Sequence, residues 1–309
     1  MGSLRRIVVG LVMFASLTLV RTAHAQAVID EKGTVSAALS FDYGFANKIV
    51  ETGGVTFENQ HVNTQVATLA LSYVPVNRLA ISVALPLVGV KYDPVRGQDP
   101  HGPWDGTIAD GSSTHYTLQD LRADAAYMVI GGGDTPYALA FHVGLTAPLA
   151  DYPVQGYAAP GRHLFQGRIG VDFSISPQFL PRAFFNVGYE LTLSQKFEEV
   201  EETKDVGQTR SVANASLGYF ITDKFGAYLL SGFRTQHDGV NLVDYSMFSA
   251  ELKAWHDPVL DENALLVGLG AMYALTEKLY ISATYSHFVS GKNTLNTSWL
   301  GASVGWAIR

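Results

Sequence analysis

The chain predicts an all-β fold: a transmembrane antiparallel β-barrel of twelve strands with both termini on the periplasmic side. Three observations predict it. From Val35 to the last residues the sequence runs in segments of roughly ten residues that alternate large apolar with small or polar side chains, the length and period of a tilted spanning strand. The last segment shows the pattern: Leu300, Ala302, Val304, Trp306 and Ile308 share one face, and Gly301, Ser303, Gly305 and Ala307 the other. The connections also alternate, short at one end and mostly longer at the other.

Taken in order, the first strand covers residues 34–45, with Val35, Ala37, Leu39, Phe41 and Tyr43 outward, and a Gly- and Asn-bearing loop follows at 51–63. Strands at 65–74 and 78–90 flank the short connection Pro75 to Asn77 and form a hairpin. The stretch from Tyr92 to His115 holds four Gly and three Pro residues, too many for a strand, and reads as a long loop and a candidate lid. Strands at 117–130 and 137–149 border the Gly131 to Pro136 turn, and strands at 163–176 and 182–193 border Pro177 to Pro181. After the acidic run Glu198 to Glu202, strands at 210–221 and 225–235 meet at Thr222-Asp223-Lys224. Residues 236–263 are assigned to a long external loop, because a further spanning strand would give an odd count. Strands at 264–275, 278–289 and 296–308, joined at Thr276-Glu277 and Ser290 to Asn293, complete the twelve.

The polarity of the two faces separates a membrane barrel from a water-soluble sandwich. One face carries Leu69, Leu71, Tyr73, Ile81, Val83 and Leu85; the opposite face carries Thr68, Ala70, Ser72, Ala80, Ser82 and Ala84. An apolar exterior around a small, polar interior is stable only where the exterior is lipid. Closure follows, because an open edge in lipid would leave backbone groups unpaired.

Residues 1–25 read as a secretory signal, with Arg5 and Arg6 ahead of an apolar stretch from Ile7 to Val20 and a small-x-small end at Ala23-His24-Ala25. That leaves residues 26–309 as a single barrel domain. Removing Arg5, Arg6 and Arg21 takes the formal charge from −7 to −10, which disfavours nucleic acid as a partner. The absence of Cys excludes thiol nucleophiles, Cys-bound metals and disulfides.

Strand phase places ionisable groups toward the lumen. Asp120, Arg122 and Asp124 alternate with Leu121 and Ala123, and Asp42, His142, Arg168, Asp172, Arg182, Glu190 and Arg234 follow the same logic. Mixed signs in a narrow interior permit mutual pairing, which avoids the cost of unpaired burial. Two roles stay open for the set: a constriction that biases solute passage, or a tie that stiffens the interior.

No catalytic residues are expected, since the chain has no Gly-x-Ser-x-Gly elbow, no His-Glu-x-x-His pair and no phosphate-binding glycine motif. His142, Asp172 and Ser174 are the types of a hydrolytic triad on neighbouring strands, but such coincidences are common in a barrel. His101, Asp105, Asp110 and His115 match no metal-site spacing, so no metal or cofactor is expected.

Two motifs add a resemblance. Leu69-Ala70-Leu71-Ser72-Tyr73-Val74-Pro75-Val76-Asn77-Arg78-Leu79, running into Leu85-Pro86-Leu87-Val88, resembles the strand, short turn and Leu-Pro strand of the outer-membrane family named after the meta-pathway of phenol degradation. Leu118-Gln119-Asp120-Leu121-Arg122, with Gly144-Leu145-Thr146-Ala147-Pro148 across a hairpin, is similar to its Gly-Asp-Leu-Arg strand and later Leu-x-x-Pro strand. Gln119 stands where the family has Gly, and Arg309 replaces the aromatic residue common at the end of outer-membrane strands.

The resemblance implies a bacterial outer-membrane barrel that admits hydrophobic or aromatic compounds, with no catalytic residues to carry over. The expected function is a passive channel or uptake pore for small solutes. Its expected partners are those solutes, outer-membrane lipid and lipopolysaccharide, and the outer-membrane assembly machinery. A closed structural or adhesive barrel and a lipid-modifying enzyme are the alternatives.

Overall fold

The computed structural model describes residues 27, 29–94, 111–131, 135–152, 154, 160–197, 201, 209–247, 249, 252 and 259–308. The predicted signal segment 1–25 and the centre of the predicted lid, 95–110, with His101, Asp105 and Asp110, lie outside them; His115 falls on a strand.

Among the described residues, fourteen strands are hydrogen-bonded into one antiparallel sheet. They are β1 (Val35–Val50), β2 (Thr56–Val76), β3 (Leu79–Pro94), β4 (Gly111–Leu118), β5 (Leu121–Ile130), β6 (Tyr137–Ala147) and β7 (Gln166–Ile175), followed by β8 (Ala183–Ser194), β9 (Arg210–Phe220), β10 (Phe225–Gln236), β11 (Asn263–Ala274), β12 (Leu279–Lys292), β13 (Thr294–Leu295) and β14 (Ser298–Ala307). β4 with β5, and β13 with β14, each make one stave, so the wall has twelve. β1 closes it, pairing β2 on one side and β14 on the other through an unbroken register from Ser36↔Ala307 to Phe45↔Ser298. Both ends of the barrel stretch of the chain lie at the end with the short turns.

Period-two alternation sorts the side chains as predicted. Leu69, Phe141, Ile169, Leu217, Leu229 and Leu269 are exposed on the outer face, with Leu145 at 67%, whereas Ser40, Ser282, Thr284 and Ser303 are buried inside and Ser286 is fully covered. Two short-end hairpins share one device. The Thr222 hydroxyl accepts from the amides of Lys224 and Phe225, and the Thr276 hydroxyl from those of Lys278 and Leu279, satisfying donors at the turn where the ladder ends.

Three departures from the expected strands have physical causes. The loop expected at 51–63 shrinks to residues 51–55, because β1 continues above the barrel and pairs there with both β2 (Ile49↔Phe57) and β13 (Ile49↔Leu295). The loop expected between Tyr92 and His115 likewise gives residues at both ends to β3 and β4, where Tyr92 pairs Gly111. The strand expected at 117–130 is broken at Gln119 and Asp120. Pro86 of β3 has no amide to donate across this seam, and its carbonyl accepts from the Gln119 amide at 2.9 Å. The register steps from Leu87↔Leu118 to Ala84↔Arg122, which accommodates one extra residue opposite the proline. Among the described residues, 236–263 contributes no further spanning strand: between the end of β10 at Gln236 and the start of β11 at Asn263 lie a 3₁₀ turn, Leu242–Met247, helical backbone at Leu252 and Val259, and an isolated Val240↔Leu260 bridge.

At the short-turn end, inward Phe184, Phe220, Tyr228, Leu230, Met272 and Tyr280 form a buried apolar cluster. Ala27 and Ile29, ahead of β1, pack on inward Met128, Ala138 and Ala140, so the chain enters the wall from inside the barrel. The aromatics lie flat over glycines of the next strand: Phe184 on Gly218, Tyr228 on Gly270, Tyr280 on Gly305. A Cβ at Gly305 would occupy the space of the Tyr280 ring. Gly305→Val is therefore expected to overpack this end and cost at least about 1–3 kcal/mol, read as a lower denaturation midpoint or loss of the heat-modifiable folded form in gels; an unchanged midpoint would contradict the packing.

Candidate functional site

The predicted lumenal charges come together on four consecutive staves, and the register explains how. Asp124 of β5 lies opposite Gly144 of β6, and Gly144 opposite Arg168 of β7. One row down, His142 lies opposite Gly170, and Gly170 opposite Glu190 of β8. Asp172 faces Gly188. Each of these five side chains thus has glycine beside it, and a Cβ at Gly144, Gly170 or Gly188 would collide with Arg168, His142 or Asp172 respectively. With adjacent strands about 4.8 Å apart, side chains lying over that space can reach partners two strands away.

They pair through it. Asp124 bonds Arg122 at 3.1 Å and Arg168 at 2.9 Å, and His142 Nδ1 is 2.9 Å from Asp172. Glu190 is the hub: its Oε2 lies 2.9 Å from Arg122, 3.4 Å from Arg168 and 3.4 Å from His142 Nε2. All but Arg122 and Asp124 are nearly fully buried. Both His142 nitrogens face carboxylates, and Ser174 is not among its partners.

Four predicted members are placed elsewhere: Arg182, Asp120, Arg234, which pairs with Glu262, and Asp42 on β1. Arg182 does not face the lumen. It precedes the first residue of β8, so its inward phase carries it past the lip of the barrel, where it pairs with Asp223 at 3.2 Å with 48% of its side chain exposed. Asp120 is buried but belongs to the break between β4 and β5, outside the network. It accepts a 2.5 Å hydrogen bond from Tyr152, whose hydroxyl in turn accepts from the His163 amide. With Gln119 donating to the Pro160 carbonyl, this break anchors the β6–β7 connection.

Sequence reasoning gave no role to the rim at the long-loop end. There Tyr152, Val154, Leu164, Phe197, Leu252 and Val259, from three different connections, form a small apolar core. Glu262 ties it to the wall through Arg234, Arg210 at 3.7 Å and the Thr294 hydroxyl at 2.5 Å. Asn293, fully buried and at φ 51°, donates to the Asp261 carbonyl and accepts from the Leu242 amide. The sequence signal for this anchor is the Asn itself, a residue that tolerates positive φ better than most.

A Ser–His contact also exists, on the outer face: Ser211 Oγ lies 2.6 Å from His237 Nε2 and 2.8 Å from the Tyr189 hydroxyl. Among the described residues no carboxylate or amide side chain bonds His237 to orient it as a base, and the trio joins β8 and β9 to the segment after β10.

Losing one member of a buried network leaves the others uncompensated. Glu190→Gln is expected to cost about 3–5 kcal/mol, read from the denaturation midpoint of the refolded protein in lipid vesicles; a change under about 0.5 kcal/mol, ordinary for a surface site, would contradict the hub. At the rim, burial raises the Glu262 pKa, but Arg234, Arg210, the Thr294 hydroxyl and Arg162 outweigh it and hold the group at about 2 against an ordinary 4.5. Its stabilisation is thus complete above pH 4.5 and is lost as pH falls toward about 2. Amide exchange at Val240 and Leu242, corrected for intrinsic rate, is expected to accelerate across that window and not above it.

Comparison with known proteins agrees with the architecture. An outer membrane channel from Pseudomonas putida F1, known from its crystal structure, has the same fold with a TM-score of 0.71 at 11% identity, over 93% of this chain and 100% of that one. The NanC porin aligns with a TM-score of 0.52 at 9% identity, over 87% and 98%. The β domain of the Bordetella autotransporter BrkA gives 0.50 at 11% identity, over 90% and 100%. At these identities the likeness is one of fold. Among curated proteins none matches the chain by sequence. Residues 40–300 match the family described as "Putative MetA-pathway of phenol degradation", and with most of its length covered the chain belongs to that family.

Proposed function

We propose that this barrel spans a bacterial outer membrane, termini on the periplasmic side, and acts as a non-catalytic channel for small solutes, aromatic and hydrophobic ones among them. The observation that carries the reading is the inversion of polarity. A belt of exposed Leu, Ile, Val, Phe and Tyr surrounds an interior of Ser, Thr, Gly and paired charges, an arrangement that water would penalise and lipid favours. The solved barrels it resembles include a channel and a porin, and its family is described by phenol degradation.

The interior fits selective rather than bulk passage. Apolar side chains crowd both ends, and the ion-pair network occupies one wall between them. A network whose charges pair with one another has little charge left to attract ions, so a structural role fits it better than that of a charged constriction. Solutes would pass along the opposite, hydroxyl-bearing wall of β1, β12 and β14.

Single-channel recording on the refolded mature protein in a planar bilayer tests the proposal. Small, stable conductance steps that phenol in the bath blocks are the expected result. Correctly folded, heat-modifiable protein that stays electrically silent and releases no small solute from vesicles would overturn it.

A further inference from the structure

The charges on β5 to β8 are paired with one another, and Glu262 is held by arginines; Asp42 of β1 differs from all of them. It is 5% exposed, its phase on β1 turns it inward, and among the described residues it has neither an ion-pair nor a hydrogen-bond partner. Burial of an unpartnered acid is costly. The fold does not demand it, since buried Ser36 and Ser40 hold equivalent inward positions on the same strand.

Its surroundings have two characters. Across the sheet on one side lie Val66 and then Val88, the first a neighbour of the apolar cluster that contains the second. On the other side lies Gly301, then the buried Thr284. Two residues along β1, the Trp299 ring fills the space beside Gly44. A carboxyl group thus stands at the seam between an apolar wall and a hydroxyl-bearing one, with an indole close by. Mostly apolar surroundings with one well-placed polar group are what a small-molecule site provides.

We propose that Asp42 is the solute-contacting acceptor of the lumen. It takes a hydrogen bond from a hydroxyl or ammonium group on a small ring, whose apolar body lies against Val66, Val88 and Trp299. This deepens the channel reading by naming the residue that meets the solute and the donor chemistry it selects.

Equilibrium binding tests it without depending on conductance. Phenol and benzylamine are titrated calorimetrically into refolded protein in detergent micelles, using wild type, Asp42→Asn and Asp42→Ser. Since Asp42 has no partner among the described residues to lose, and its burial is itself costly, both variants are expected to keep or exceed the wild-type denaturation midpoint. Asp42→Ser is expected to weaken binding about tenfold or more, the loss typical of one hydrogen bond to a charged group. Loss for both probes identifies a shared donor requirement, and loss for benzylamine alone an ammonium site; either supports the proposal. Equal affinities in wild type and Asp42→Ser, no binding of either probe by wild type, or a lowered midpoint in both variants would overturn it. Asp42-dependent binding by an electrically silent protein would reject the channel reading alone, and a phenol-blocked channel indifferent to Asp42→Ser would reject this inference alone.

Discussion

Closure of β1 against both β2 and β14 is the constraint on which the rest depends. A sheet wall that leaves no edge satisfies its own backbone donors and acceptors, so its outer face needs no water. Once that holds, the side chains can be inverted, apolar outward and polar inward. Every feature of the interior follows from fitting polar, aromatic and charged groups into the space enclosed by twelve staves.

Glycine solves the fitting problem twice, in different chemistry. Over Gly218, Gly270 and Gly305 it lets aromatic rings lie flat and close the short-turn end with apolar packing. Beside Gly144, Gly170 and Gly188 it lets charged side chains reach across an intervening strand to opposite charges. The interior is therefore uneven: a dense ionic wall on β5 to β8, a hydroxyl-bearing wall on β1, β12 and β14, and Asp42, alone of the lumenal acids named, without a partner among the described residues. Paired charges tie four neighbouring staves together, and Asp42 is the group we propose to meet a solute.

The local features were legible in the sequence. Alternation of period two and turn residues such as Thr222-Asp223-Lys224 are written within a few positions, and a one-residue slip would expose the wrong face, so phase is strongly determined. What stayed hidden is non-local. Residues 46–50 continue β1 because Leu295 and Thr294 are there to pair with, and the break at Gln119 is caused by a proline on the neighbouring strand. For the site, phase alone placed Arg122, Asp124, His142, Arg168, Asp172 and Glu190 on the inner face. Their pairing needed the register, as did the recognition that Arg182 lies beyond the lip and that Asp120 serves as a loop anchor.

The inverted barrel is tested most directly by two tryptophans on β14. Trp306 lies on the outer face, half exposed, and Trp299 on the inner face, nearly covered. In variants retaining one of them, folded into vesicles, quenching by lipids brominated along the acyl chain should be strong for Trp306 and nearly absent for Trp299. Equal quenching of both, or quenching of neither, would contradict a barrel whose apolar face meets lipid and whose polar face encloses the solute path.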